Sequence, residues 1–195
     1  MSERPASRDR YIAFAARRFA ADGFHGTSLA AVAEDAGVSK QALLHFFGTK
    51  ARLYAEVLSA LGDRLVAEIE AQRADAPQDR LAAVLHAHAR NAHARPEDAR
   101  LVVRALLDSD ASARAWPLKP FLDRLTALVR AAPAWEKVDE AEALAAVYRL
   151  IGAIQYFAVS GPTLEGIYGA ERRAALDRHF AAHLGDLIDG FAARG

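Results

Sequence analysis

The sequence contains no cysteine. Disulfides, thiolate metal sites, cysteine nucleophiles and thiol redox sensing are excluded with it. Net charge is also missing: 25 basic side chains balance 25 acidic ones. A protein that coats nucleic acid or anionic lipid by bulk electrostatics is not built this way. Val, Ile and Thr never gather into runs of period two, so strands are not expected. The amino-terminal stretch MSERPASRDR lacks the apolar core of a signal peptide. The most apolar run, residues 143–159, is interrupted by Arg149 and Gln155. A membrane span needs about 20 mostly apolar residues without such breaks. Internal repeats and low-complexity tails are absent as well. The expectation is a cytoplasmic protein with no membrane partner.

What is present is helical. The chain has 195 residues, and 52% of them are hydrophobic, which excludes general disorder. Ala, Leu, Arg and Glu dominate, and apolar residues recur near a period of 3.6 throughout. The pattern predicts an all-α protein of about nine helices. The first spans about Ser7 to Asp22, with Ser7 as N-cap and Gly23 in a left-handed position after its end. A fourth, long helix runs from Lys50 to about Arg73. The fifth covers about 78–95, and the sixth about 97–109, with Pro96 at its first position. The polar stretch DSDASARA, Asp108 to Ala115, reads as a linker. Trp116-Pro117 opens the seventh helix. The eighth and ninth are expected over about Asp139–Ser160 and Ala170–Ala193. The run Gly161-Pro162-Thr163-Leu164-Glu165-Gly166 between them is expected to break the helix.

The most informative stretch is Thr27 to Lys50, TSLAAVAEDAGVSKQALLHFFGTK. It reads as two short helices joined by a tight turn at Gly37, then the start of a further helix. Leu29, Val32, Ala33, Ala36, Val38, Leu43 and Phe47 sit where the helices press together. Thr27 or Ser28 caps the first, Ser39 caps the second and Thr49 caps the long helix that follows. This is the layout of a helix-turn-helix, whose second helix lies in the DNA major groove. Residues 1–50 hold seven Lys or Arg against five acids. A local basic footprint binds phosphates even on a neutral molecule. The expected division is a DNA-binding domain over residues 1–49 and a helical body over 50–195.

The eighth helix is apolar on more than one face, through Leu144, Val147, Tyr148, Leu150, Ile151, Ile154, Phe157 and Val159. A helix apolar nearly all round is buried on nearly all sides. The ninth offers Leu176, Phe180, Leu184, Leu187, Ile188 and Phe191 along one side. Two such helices from each of two copies make a four-helix interface with two-fold symmetry. Ile151, Ile154, Phe157, Phe180, Leu184 and Leu187 are the candidate dimerisation residues. The competing reading is that these helices complete the core of a monomer.

From Tyr11 to Leu53 the sequence resembles the DNA-binding domain of the tetracycline-repressor (TetR) family of bacterial transcription regulators. The matching residues are Ile12, Ala15, Phe19, Gly23, Phe24, Thr27, the AGVSK run Ala36 to Lys40, Leu43, Phe47, Lys50 and Leu53. The stretch covers a little over one-fifth of the chain. The resemblance implies an N-terminal head of three helices and a helical regulatory and dimerisation body. It implies a repressor that leaves a near-palindromic double-stranded DNA operator when a small-molecule inducer binds. It assigns Thr27, Ser39 and Lys50 to phosphate contact and Lys40, Gln41, Ala42, Leu44 and His45 to base edges. Lys40 suits guanine O6 or N7, Gln41 suits adenine, and Ala42 and Leu44 suit thymine methyls. His45 and Phe46 fall where the family contacts the backbone or a flanking base. For Phe46, packing within the head is the other reading. Many relatives carry tyrosine at positions 44 and 46, so Leu44 and Phe46 remove two hydroxyls that bond phosphate. Many also carry glycine where this chain has Gln41.

The resemblance further implies an inducer pocket within helices four to eight. Candidate ligand residues are His88, Arg104, Trp116, Phe121, Tyr148 and Gln155. His86, His88 and His93 cluster on the fifth helix, but positions i and i+2 point apart, and His86 with His93 lacks a third ligand. Neither a metal nor a cofactor is expected. Two other function classes compete. One is a helical protein-interaction module whose head or eighth helix binds a protein partner. The other is an enzyme using His88, Arg104 or Asp108, which lacks a nucleophile–base pair.

Overall fold

The computed structural model describes residues 3–107 and 116–193. Among the described residues there are nine α-helices, one short 3-10 turn and no strand. They are α1 (Glu3–Gly26), α2 (Leu29–Ala36), α3 (Lys40–Phe47), α4 (Lys50–Ala71), α5 (Pro77–Ala94), α6 (Pro96–Leu107), α7 (Lys119–Ala131), a 3-10 turn (Pro133–Trp135), α8 (Glu140–Tyr168) and α9 (Ala170–Ala193). The all-α expectation holds. The polar stretch Asp108 to Ala115, expected as a linker, lies outside the described residues.

Three boundaries differ from the sequence reading. The first helix begins at Glu3, so Ser7 lies inside it and is not its N-cap. Trp116 and Pro117 belong to a turn, and α7 begins at Lys119. The eighth helix does not stop at Ser160. It continues through Gly161, Pro162 and Gly166 to Tyr168. Proline has no amide to give the carbonyl four residues earlier, and its ring crowds that turn, at a cost of about 3 kcal/mol. The turn before the proline is packed and hydrogen-bonded. Phe157 stacks on Phe180 of α9, ring centroids 3.7 Å apart, and the Ser160 hydroxyl donates to the Phe157 carbonyl at 3.1 Å. Gly169 then ends the helix at positive φ, its amide donating to Glu165.

The chain divides into two compact units, residues 1–64 with 97–119, and residues 65–96 with 120–195. The helix α4 is shared between them by covalent continuity.

In the first unit, α1 buries Ile12, Ala15 and Phe19 against Val32, Ala33, Leu43 and Phe47 from α2 and α3, and Leu53 and Val57 from α4. Phe19, Phe24 and Tyr54 form an aromatic cluster, with Tyr54 4.8 Å from Phe19 and 5.2 Å from Phe24. Helix α1 is kinked at Gly23, where φ is 72°. A β-carbon there would sit 2.8 Å from Nη1 of Arg104 on α6. Glycine thus supplies both the backbone conformation and the space.

In the second unit, α8 turns Val147, Leu150, Ile151 and Ile154 inward, joined by Leu81 and Leu85 of α5 and Leu184 and Ile188 of α9. Trp135 anchors the 3-10 turn: its indole N–H donates to the Phe191 carbonyl at 3.0 Å. By length and composition α8 alone passes for a membrane span among the described residues, with mean hydropathy 1.4 over its most apolar window. Its inner face, Val147, Leu150, Ile151 and Ile154, is buried in this unit.

Candidate nucleic-acid interface

The geometry between α2 and α3 follows from three short-range features. Ser28 caps α2, its hydroxyl accepting from the Ala31 amide at 3.1 Å. Gly37 ends α2 at φ 67°, and the amides of Gly37 and Val38 return to the carbonyls of Glu34 and Ala33. Ser39 caps α3, its hydroxyl accepting from Ala42 at 3.1 Å. Two helices of eight residues each are thus ended and restarted within three residues. Val32, Ala33, Ala36, Leu43 and Phe47 are buried, which fixes which side of α3 faces out.

Longer-range contacts hold the pair to α1. The Arg10 guanidinium donates to the Ala36 carbonyl at 2.9 Å, taking an acceptor that the end of α2 leaves open. Arg18 forms a two-pronged pair with Asp35, one contact at 2.9 Å. That hydrogen bond and the charge behind it hold the Asp35 carboxyl below its ordinary range and raise the Arg18 guanidinium above its own. On α6, Arg104 donates to the carbonyls of Ala20 and Ala21 at 3.0 and 2.6 Å, just before the Gly23 kink. None of these arginine contacts was foreseen from sequence. Their partners lie 17 to 84 residues away, and helical periodicity carries no such information.

Lys40, Gln41, Leu44 and His45 are exposed on the outer side of α3, and Ala42 is half-buried beside them. Phe46 is half-buried and packs edge-on against Tyr11, centroids 5.2 Å apart. Ser39 is exposed, with its hydroxyl engaged as the cap. The other two expected phosphate contacts are turned inward. Thr27 is 2% exposed, and its hydroxyl donates to the Gly23 carbonyl at 2.8 Å. The Lys50 ammonium donates to the carbonyls of Phe24 and Thr27 at 2.8 and 3.0 Å and lies 4.4 Å from the Phe24 ring centroid. Both fix the loop that leads into α2.

The candidate ligand residues separate. In the second unit His88, Phe121 and Gln155 come together. The His88 ring lies 5.2 Å from that of Phe121 and 3.3 Å, at Nε2, from the Gln155 amide nitrogen. Burial pushes the His88 pKa down to about 4, only partly opposed by the charge of Glu68. The ring is therefore neutral at pH 7, and Nε2 accepts from the Gln155 amide. The other end of that amide, Oε1, is buried without a hydrogen-bond partner. Tyr148 is instead 47% exposed on α8. In the first unit Arg104 is engaged with α1, and Trp116 keeps a buried indole N–H without a partner. Asp108, named with the enzyme alternative, lies outside the described residues. Of the candidate dimerisation residues, Ile151, Ile154 and Leu184 are buried within the protomer, Phe157 and Phe180 stack on each other, and Leu187 is 44% exposed. No group of three potential metal ligands occurs among the described residues.

A capped helix pair with a polar outer face on its second helix, carried by a helical body, defines a DNA-binding transcription regulator of the helix-turn-helix class. Residues 12–57 match the family described as bacterial regulatory proteins, tetR family. The chain is 28% identical over 172 residues to the HTH-type transcriptional regulator RutR of Escherichia coli (strain K12), covering 86% of this chain and 81% of RutR. Its fold is similar to that of the fatty acid degradation regulator FadR from Bacillus halodurans, with a TM-score of 0.72 at 19% identity, covering 93% of this chain and 97% of the other. It is similar also to the transcriptional regulator FadR from Bacillus subtilis in complex with stearoyl-CoA, with a TM-score of 0.67 at 17% identity, covering 94% and 98%. Over residues 12–57 the chain is thus similar to the tetR family of bacterial regulatory proteins, and over most of its length to an HTH-type transcriptional regulator.

Proposed function

We propose that this regulator is a cytoplasmic homodimeric repressor that reads a near-palindromic operator and leaves it when a small molecule binds the body. The observation that carries the reading is the outer face of α3: Lys40, Gln41, Leu44 and His45 are exposed while Leu43 and Phe47 are buried. Lys40 and Gln41 stand at the start of α3, the end that enters the major groove in this class. Gln41 reads adenine, Lys40 reads guanine, and Ala42 and Leu44 meet thymine methyls. Ser39 and the amides at the start of α3 supply phosphate contacts, which set register. Phe46 serves the head through Tyr11. Thr27 and Lys50 act on DNA indirectly, by shaping the entry to α2.

Dimerisation would use the outer faces of α8 and α9. Leu144, Tyr148 and Tyr156 follow one line of α8 at helical spacing, with 36%, 47% and 75% exposure, and Leu187 of α9 is exposed too. Two heads related by two-fold symmetry would meet successive major grooves roughly 34–36 Å apart. A ligand in the body acts on that spacing through α4. Moving a two-state balance from 1:99 to 99:1 takes about 5.5 kcal/mol of differential affinity. FadR of Bacillus subtilis holds stearoyl-CoA in the same fold, which supports a ligand-responsive reading of the body.

The test is a mobility-shift competition with single-base variants of a selected operator. Gln41→Ala should flatten preference at one position in each half-site, by about 1–3 kcal/mol of discrimination. Equal weakening on every sequence rules out base reading by Gln41.

A further inference from the structure

Helices α5, α8 and α9 enclose a second feature, separate from the buried His88–Gln155 pair. It is a cavity of about 370 Å³, within the size range of small-molecule sites. Its floor is apolar: Ile154, Leu184 and Ile188 lie beside the stacked rings of Phe157 and Phe180. Its rim is basic. Arg90, His93 and Arg178 line the opening and are exposed. One carboxylate, Asp177, also lines the cavity and a second, Asp189, lies beside it, and both are engaged. Asp177 receives Arg173 at 3.1 and 2.5 Å, and Asp189 receives His86 at 2.7 Å. The Arg173 guanidinium, paired with Asp177, also stands 4.7 Å from the Phe157 ring centroid and packs along the aromatic wall.

An apolar floor under a basic rim selects a ligand with one apolar end and one anionic end. A neutral hydrocarbon leaves the arginines unused, and a compact inorganic anion leaves the aromatic floor unused. Guanidinium groups are matched in geometry to carboxylate oxygens. We propose that this cavity binds a small amphipathic carboxylate, with its chain against Phe157 and Phe180 and its carboxylate at Arg90 and Arg178. The binding itself stands on the cavity alone. Its role as effector rests on the ligand-responsive reading above.

The experiment is isothermal titration of the full chain with octanoate, octanamide and acetate. Octanamide keeps the chain and loses the charge, and acetate keeps the charge and loses the chain. Octanoate should bind saturably at one site per protomer, octanamide about ten-fold more weakly, and acetate not at all. The double variant Arg90→Gln, Arg178→Gln should weaken octanoate about ten-fold and leave octanamide unchanged. Both arginines are exposed, so the fold tolerates the change, which circular dichroism checks. Octanamide binding as tightly as octanoate, absence of saturable octanoate binding, or an unaffected double variant each overturns the proposal. Operator affinity with and without octanoate separates the two readings. Octanoate that binds without changing operator affinity supports the site and overturns the effector role alone.

Discussion

At Lys50 the position matches the family and the side chain does something local. Its ammonium satisfies two backbone carbonyls and covers an aromatic ring. Lys50→Ala removes those bonds from a partly buried loop and should cost about 1–3 kcal/mol of stability, read by chemical denaturation. The salt dependence of DNA binding should keep its slope. A slope lower by about one unit returns Lys50 to direct phosphate contact. His88 gives a pH prediction. Its folded pKa is about 4 against an ordinary 6.5. Between those values the unfolded chain binds a proton that the folded chain refuses, so stability rises with pH across the window. The contribution is full above about pH 6.5 and is lost as pH falls toward 4, by roughly 3 kcal/mol. Comparing denaturation at pH 7 and pH 5 should reveal about 2 kcal/mol of that loss, and His88→Gln should abolish it. An equal loss in the variant assigns the pH dependence to other groups.

At the scale of the element, α8 is the clearest case. Gly161, Pro162 and Gly166 are strong local breakers, yet the helix passes through all three. Pro162→Ala should restore the amide, relieve the ring clash and raise stability by up to about 3 kcal/mol, seen as a higher denaturation midpoint. An unchanged or lowered midpoint indicates that the proline is already accommodated without strain. Local signals were reliable where they act locally. Ser28, Gly37 and Ser39 delimit α2 and α3 by hydrogen bonds spanning three or four residues, so the helix pair was legible in advance. The breaker signal at Pro162 is local and carries no information on longer-range packing such as the stack of Phe157 on Phe180. The outward residues of α3 were legible for the same reason as the helix pair, since burial of Leu43 and Phe47 fixes the face. The ligand candidates divided because residue type says nothing of partners. Arg104 reaches carbonyls 84 residues upstream, while His88 and Gln155 meet across 67 residues.

At the scale of the molecule, the proposed dimer places a second copy against the exposed apolar side chains of α8. Leu144, Tyr148 and Tyr156 stay exposed while Ile151 and Ile154 are taken by the protomer's own core. Tyr156→Glu sets a charge on that face without touching the interior. It should convert the proposed dimer to monomer in sedimentation and weaken operator binding, because a single head contacts only one half-site. A variant that stays dimeric moves the interface elsewhere. Everything proposed about function depends on two copies reading DNA through α3. Selection of bound duplexes from a random library tests this most directly. The account predicts enrichment of a near-palindrome with half-sites 10–10.5 base pairs apart or a multiple of that, bound by two chains. No enrichment, or a single asymmetric site bound by one chain, would contradict it.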